Sequence, residues 1–261
     1  MTDSVLRQQS GAVATITINR SAARNALTSE TKAALLSALR DCSDDPDIRA
    51  VILTGADQAF CAGQDLREHA DLARAGADPL RTVRDHYNPM VMLITHMPKP
   101  VIAALPGVAA GAGAALAFAC DFRIAARRAS FLLAFARIGL GADTGASWTL
   151  QRLAGTARAA ELLMLAEPVT ADRALELGLL TSVVADEELP AAAGAFAARL
   201  AAGPTRAYAA IKESLYYAAG HPLPEALRRE AELQEELGQT RDHQSATQAF
   251  LRKEQPVFEG R

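Results

Sequence analysis

The sequence predicts an α/β fold with parallel strands, followed by an all-helical C-terminal region. Three observations predict it. Short strand-like runs alternate with helical spacings through the first two thirds of the chain. Two of those runs, residues 50–53 and 100–105, are apolar throughout, as expected of parallel strands covered on both faces. From Ala157 onward the chain reads as nearly all helix, apart from residues 180–184.

Taken in order, residues 12–18 alternate, with Ile16 and Ile18 on one face and Thr15 and Thr17 on the other, which predicts a half-buried strand. Residues 19–25 are polar and turn-like. Thr28 or Ser29 suits the cap of a helix that carries Leu35, Leu36 and Leu39 on one side. After the strand at 50–53, residues 59–65 form a small-residue loop, and a charged segment from 67 to about 85 is expected to be helical and partly exposed. The strand at 100–105 leads through a Gly-rich turn into a helix at 113–119. Residues 122–125 and 130–133 are further strand candidates. A second Gly-rich loop at 139–145 precedes a helix from about Ser147. Near the C-terminus Ala226, Leu233 and Leu237 fall at helical spacing, with Gly238 beyond them. No internal repeat and no low-complexity linker is evident. The C-terminal helices carry spare apolar faces, which either close the domain or bind another subunit.

Composition excludes several classes. Half of the 261 residues are hydrophobic and 22% are charged, which is not the balance of a disordered chain. A net charge of −3 supplies no broad basic field for nucleic acid. Cys42, Cys61 and Cys120 are widely spaced and form no CxxC pair, so neither a disulfide framework nor a zinc ribbon is expected, and a reducing cytoplasm is the natural compartment. Residues 1–11 lack the apolar core of a signal peptide. Residues 101–120 carry no charge over 20 positions, but Pro106, Gly107, Gly111 and Gly113 interrupt them, and Ala gains little from lipid. That stretch reads as strand, turn and helix, and no membrane association is expected.

Familiar catalytic signatures are absent. His69, His86, His96, His221 and His243 make no HExxH or other short metal-ligand spacing, so no metal is expected. There is no GxSxG elbow, no P-loop and no GxGxxG turn. Two small-residue loops and one acid remain. The loops are residues 60–66 and 107–113, the second lying directly before a helix. Small side chains let a ligand approach the backbone, and a helix N-terminus offers free N–H groups. Two such loops facing each other would make an oxyanion hole; separately, each is equally a tight strand-to-helix turn. The acid is Asp143, which from composition alone fits a helix cap better than a catalyst.

The chain resembles the crotonase family, also called the enoyl-CoA hydratase/isomerase family, over essentially its whole length. The likeness rests on Asn19-Arg20 with Arg24-Asn25-Ala26-Leu27, on Ala59-Phe60-Cys61-Ala62-Gly63-Gln64-Asp65-Leu66, and on Lys99-Pro100-Val101-Ile102-Ala103-Ala104. It continues through Gly107-Val108-Ala109-Ala110-Gly111-Ala112-Gly113, Ile138-Gly139-Leu140, and Ala171, Leu175, Gly178 and Leu179. The resemblance implies a crotonase-like superhelix of repeated ββα units over residues 1–200 and a helical region over 201–261 that builds trimers or dimers of trimers. It implies an acyl-coenzyme A thioester as ligand, with coenzyme A as part of the substrate and no separate cofactor. It carries the two oxyanion donors onto the backbone N–H groups of Gln64 and Ala112. It places Arg24 near the coenzyme's phosphates, and the backbone around Ala26, Ala62, Gly63, Asp65 and Leu66 along adenine and pantetheine. Lys212, with Phe250 or Lys253, matches positions that reach a neighbouring subunit's ligand.

Departures from the family pattern narrow the chemistry. The positions of the two glutamates that activate and protonate water in hydratases are Ala115 and Phe135 here, and neither transfers a proton. Asp143 stands where some members carry a single catalytic Asp. Within the family the chain resembles isomerases of epoxide-bearing acyl-CoA thioesters in phenylacetate degradation, which share the runs at 60–66 and 107–113, an Asp in the loop after Gly139-Leu140, and Tyr87-Asn88-Pro89. The resemblance therefore implies an isomerase in which Asp143 moves a proton between carbons of an enolate, with Phe135 and Trp148 making the acyl pocket apolar. A hydratase, a nucleophilic Asp143 as in the family's aryl-CoA dehalogenases, and a non-catalytic acyl-CoA binder are the alternatives.

Overall fold

β1 (Val5–Ser10) and β2 (Val13–Ile18) form an antiparallel hairpin that turns at Gly11, whose φ of +56° suits a residue without a Cβ. β2 alternates as its sequence predicts, with Ala14, Ile16 and Ile18 fully buried. β1 is a strand that the pattern did not announce, because its second to sixth residues are all exposed and supply no alternation. The computed structural model describes residues 3–261; Met1 and Thr2, the start of the N-terminal segment read above, lie outside the described residues.

Thr28 caps α1 (Ser29–Asp44), its side chain accepting from the Thr31 N–H, and Leu35 and Leu39 are fully buried on the predicted face. Three ββα units follow. The first holds β3 (Ala50–Gly55), β4 (Ala59–Cys61) and α2 (Leu66–Arg74), after which come a turn, a π-helical stretch (Val83–Tyr87) and α3 (Asn88–His96). The charged segment expected to be helical is thus helical in separate pieces. The second unit holds β5 (Val101–Leu105), β6 (Val108–Ala110) and α4 (Ala112–Ala119). The third holds β7 (Phe122–Ala126), β8 (Ser130–Leu132) and α5 (Ala146–Met164). β9 (Val169–Thr170), α6 (Ala171–Glu176), β10 (Ser182–Val184) and α7 (Leu189–Ala201) complete the core, and α8 (Thr205–Ala218), α9 (Leu223–Gly238) and α10 (Arg241–Arg252) form the helical end. No repeat is legible in the residues; the repeat lies in the backbone.

Each unit sends its two strands to different sheets. The first strands make a six-stranded sheet in the order β1-β2-β3-β5-β7-β10, parallel from β2 onward. The second strands join a four-stranded sheet in the order β4-β6-β8-β9. β5 is buried at every position because helices lie on one face of the large sheet and α7 on the other, which is why its sequence is apolar throughout. The uncharged run at 101–120 is therefore core, and no helix among the described residues is long and apolar enough to cross a membrane.

α8 is tied to the sheet by a buried ion pair. Lys212 donates from Nζ to Asp121 Oδ2 at 2.8 Å and to the Ile94 carbonyl at 2.7 Å, and the same Asp121 oxygen accepts from the Val101 N–H at 2.8 Å. Lys212→Met is expected to lower unfolding free energy in urea by about 3–5 kcal/mol, because it leaves a buried carboxylate uncompensated. Adding Asp121→Asn to that variant is expected to recover part of the loss.

Candidate active site

Parallel pairing of β4 with β6 makes their C-terminal ends emerge side by side. Each end opens into one of the small-residue loops. On the first, Ala62 N–H donates to the Arg24 carbonyl at 3.0 Å, Leu27 N–H to the Gly63 carbonyl at 2.8 Å, and Asp65 N–H to the Leu27 carbonyl at 3.1 Å. This places Leu27 opposite Gln64 in a parallel bridge. Backbone groups alternate along an extended segment, so the Gln64 N–H points away from Leu27. The 24–27 segment is itself held by Asn25, which is fully buried at φ +58° and whose Nδ2 donates to the carbonyls of Ala56 at 3.0 Å and Ala59 at 2.8 Å.

The second loop turns at Gly111 (φ +49°, ψ −124°), and α4 starts at Ala112. The positive φ falls on Gly111, so Ala112 is accommodated in ordinary helical backbone. Its N–H belongs to the first helical turn, where no intrahelical partner exists. The two loops touch backbone to backbone. A Cβ at Gly63 would lie 2.7 Å from the Ala110 carbonyl oxygen and 3.3 Å from the Ala112 nitrogen, and one at Gly113 would lie 2.2 Å from the Cys61 carbonyl oxygen. Among the described residues, no acceptor is found for the Gln64 or the Ala112 N–H.

Both residues line a cavity of about 120 Å³ together with Tyr87, Phe135, Leu140 and Asp143. Asp143 is its sole lining carboxylate among the described residues. Its side chain does not cap α5: the cap position is Gly145, with no side-chain bond. The Asp143 carboxylate instead accepts from Thr144 Oγ at 2.6 Å. Desolvation raises its pKa above the ordinary aspartate value, and the Thr144 hydrogen bond opposes the rise.

Comparison with known proteins gives this geometry a context. Residues 8–261 match the model of the enoyl-CoA hydratase/isomerase family. The chain belongs to that family. It is 43% identical over 249 residues to a probable enoyl-CoA hydratase of Rhodobacter capsulatus, covering 95% of each chain. It is 39% identical over 262 residues to the 1,2-epoxyphenylacetyl-CoA isomerase of Escherichia coli K12, covering 100% of each. The crystal structure of an enoyl-CoA hydratase from Bacillus anthracis superposes with a TM-score of 0.90 at 32% identity, covering 99% of this chain and 100% of that one. The fold is thus the crotonase fold, and the family acts on acyl-CoA thioesters.

Within this family member the predicted site residues divide. Gln64, Ala112, Asp143, Phe135, Ala62 and Leu66 are brought to one cavity. Arg24 is exposed and lines an adjoining-loop groove with Ser21, Asp57, Gly107 and Arg128. Ala26 and Gly63 are buried in the bridge, and Asp65 caps α2 and pairs with Arg20 at 3.1 Å. Trp148 is not at the cavity. It stacks on Tyr216 with ring centroids 5.2 Å apart, beneath the Arg152 guanidinium, because it stands on the face of α5 opposite buried Ala146 and Leu150. Lys212 is not an available surface charge but half of the buried pair described above. Phe250 is 82% exposed on α10 and Lys253 follows that helix; neither lines the Asp143 cavity.

Lys32, Thr82 and the tyrosine hydroxyl of Tyr87 were not singled out from the sequence. Lys32 Nζ donates to Gln64 Oε1 at 3.0 Å and to Thr82 Oγ1 at 2.7 Å, and Tyr87 Oη donates to Gln64 Oε1 at 2.6 Å. The signal was a lysine on the Leu35, Leu36 and Leu39 face of α1, where helical spacing calls for an apolar side chain.

Gly113→Ala is expected to push the two loops apart, to lower kcat about 100-fold and to destabilise the fold by about 1–3 kcal/mol. Gly194→Ala, whose added methyl meets nothing within 4 Å, is the control and is expected to leave both unchanged or to raise stability slightly.

Proposed function

We propose that this family member is an acyl-CoA isomerase, acting on an unsaturated or epoxide-bearing acyl thioester. The observation that carries the proposal is a lone carboxylate, Asp143, on the same cavity as the unpartnered N–H groups of Gln64 and Ala112. The thioester's α-proton is weakly acidic, and its removal moves negative charge onto the carbonyl oxygen. Two fixed N–H donors stabilise that oxygen as the charge forms, and losing one such donor is worth about 3 kcal/mol. Asp143 takes the proton from one carbon and returns it to another, or assists opening and rearrangement of an epoxide. A 1,3-proton shift needs no second group to activate water. Ala115, buried in α4, and Phe135 leave none at the positions where family hydratases carry glutamates.

A cavity of about 120 Å³ is near the roughly 150 Å³ that holds a benzene-sized group, so it suits a ring or a short unsaturated chain. Arg24 and Arg128, on one groove, supply charge for the coenzyme's phosphates. Ile211, Leu215, Leu223 and Leu227 are more than half exposed on α8 and α9, which favours a homotrimer or dimer of trimers that covers them and brings Phe250 and Lys253 toward a neighbour's ligand. A hydratase is the second reading, favoured by His69, which also lines the cavity and is a further proton-transfer group.

Incubation with a panel of unsaturated and aromatic acyl-CoA thioesters tests the proposal by product mass. An isomerase gives a product of unchanged mass; a product heavier by one water supports the hydratase. Asp143→Asn is expected to lower kcat by at least about 100-fold while leaving the fold no less stable at neutral pH, since it removes a desolvated charge. Activity requires the carboxylate, so kcat/KM is expected to fall as pH drops through the raised Asp143 pKa, above the ordinary aspartate value near 3.9. Thr144→Val removes the hydrogen bond that favours the carboxylate and is expected to move that acid limb to higher pH.

A further inference from the structure

Behind the cavity-lining Gln64 lies a buried cation, next to donors that have no acceptor among the described residues. Lys32 is 1% exposed, and its ammonium lies 5.4 Å from the Tyr87 ring centroid. No carboxylate reaches it within ion-pair distance among the described residues. The nearest acids are engaged elsewhere: Glu68 accepts from the Ser29 N–H at 2.9 Å, and Asp65 pairs with Arg20 at 3.1 Å. Gln64 Oε1 takes hydrogen bonds from both Lys32 and Tyr87, which fixes the carboxamide, since a flip would set its NH2 group against an ammonium. Gln64 Nε2 is then left buried with no partner. The main-chain N–H groups of Gln64 and Ala112 also lack acceptors among the described residues.

A buried cation and three unpartnered donors are unfavourable in the resting protein. An anion formed at the oxyanion site is the complement that these groups lack. We propose that Lys32 is a positioning residue for that site. Through Gln64 Oε1 it holds the residue whose main-chain N–H meets the developing oxygen charge, and its own charge stabilises the enolate more than the neutral thioester. This rests on the oxyanion of the proposed function, though not on which carbon receives the proton.

The expected effect on kcat is roughly 30-fold, equivalent to unit charges about 8 Å apart at an effective dielectric of about 20. Several groups face Lys32: Gln64, Asp65 and Glu68 from the first loop and α2, and Thr82, His86 and Tyr87 from the segment before α3. Burial lowers the Lys32 pKa, opposed by the charges of Glu68 and Asp65. Burial, and then the Lys32 charge, lower the His86 pKa as well. kcat falls on the alkaline side as Lys32 deprotonates.

Lys32→Met and Lys32→Arg are the test, read by kcat, KM, melting temperature and pH profile. Lys32→Met is expected to lower kcat roughly 30-fold with little change in KM and no loss of melting temperature, and to abolish the alkaline fall. Lys32→Arg is expected to restore most of kcat. A lowered melting temperature with unchanged kcat, or an alkaline fall that persists in Lys32→Met, overturns the proposal. Asp143→Asn tests the isomerase reading separately: loss of turnover there, with full kcat in Lys32→Met, overturns the role of Lys32 alone.

Discussion

The site depends on a contact between two stretches of main chain. Residues 61–63 and residues 110–113 approach until only hydrogen fits between them, at Gly63 and at Gly113. The approach follows from topology. β4 and β6 are the second strands of successive ββα units, pair in parallel, and release their loops at the same end. One loop is fixed on its far side by the bridge to Leu27, and the other becomes the first turn of a helix. Each therefore has an N–H that the fold itself does not use. The pairing of these two spare donors is a product of sheet register and two missing side chains, and no catalytic side chain is needed to make it.

Beside these donors, the acid is kept weakly solvated and nearly alone. Among the described residues Asp143 has no cationic partner, only the Thr144 hydroxyl, and burial makes its carboxylate a stronger base than an exposed one. Phe135 and Leu140 keep the surroundings apolar. The opposite polarity lies behind Gln64, where Lys32 is held. Negative charge that leaves the carboxylate as a proton arrives thus moves toward donors and a cation. This separation is the electrostatic arrangement that an enolate requires, and it is built before any ligand binds.

Much of this was legible in the residues, for identifiable reasons. The strands at 50–53 and 100–105 announced themselves because both of their faces are buried. Thr28 announced α1 because its side chain is the cap. β1 was not legible, since an exposed edge strand carries no apolar alternation, and β6 was hidden inside a Gly-rich stretch that read as turn. The two loops and Asp143 stood out by composition and by family likeness. Trp148 was assigned to the acyl pocket as an apolar aromatic; the helical phase of α5 turns it to the other side, onto Tyr216. Lys212 and Lys32 failed for one reason. A lysine in sequence reads first as surface charge; Lys32 shares the Leu35 and Leu39 face of α1, but the partners that bury the two lysines, a carboxylate for Lys212 and an amide for Lys32, appear only in the fold.

A crystal structure with a non-reactive acyl-CoA analogue tests the central claim most directly. The account predicts the thioester oxygen about 2.7–3.1 Å from both the Gln64 and Ala112 nitrogens, with the Asp143 carboxylate against the acyl carbons next to the carbonyl. A thioester oxygen bound away from those nitrogens, or acyl carbons beyond the reach of Asp143, would contradict it.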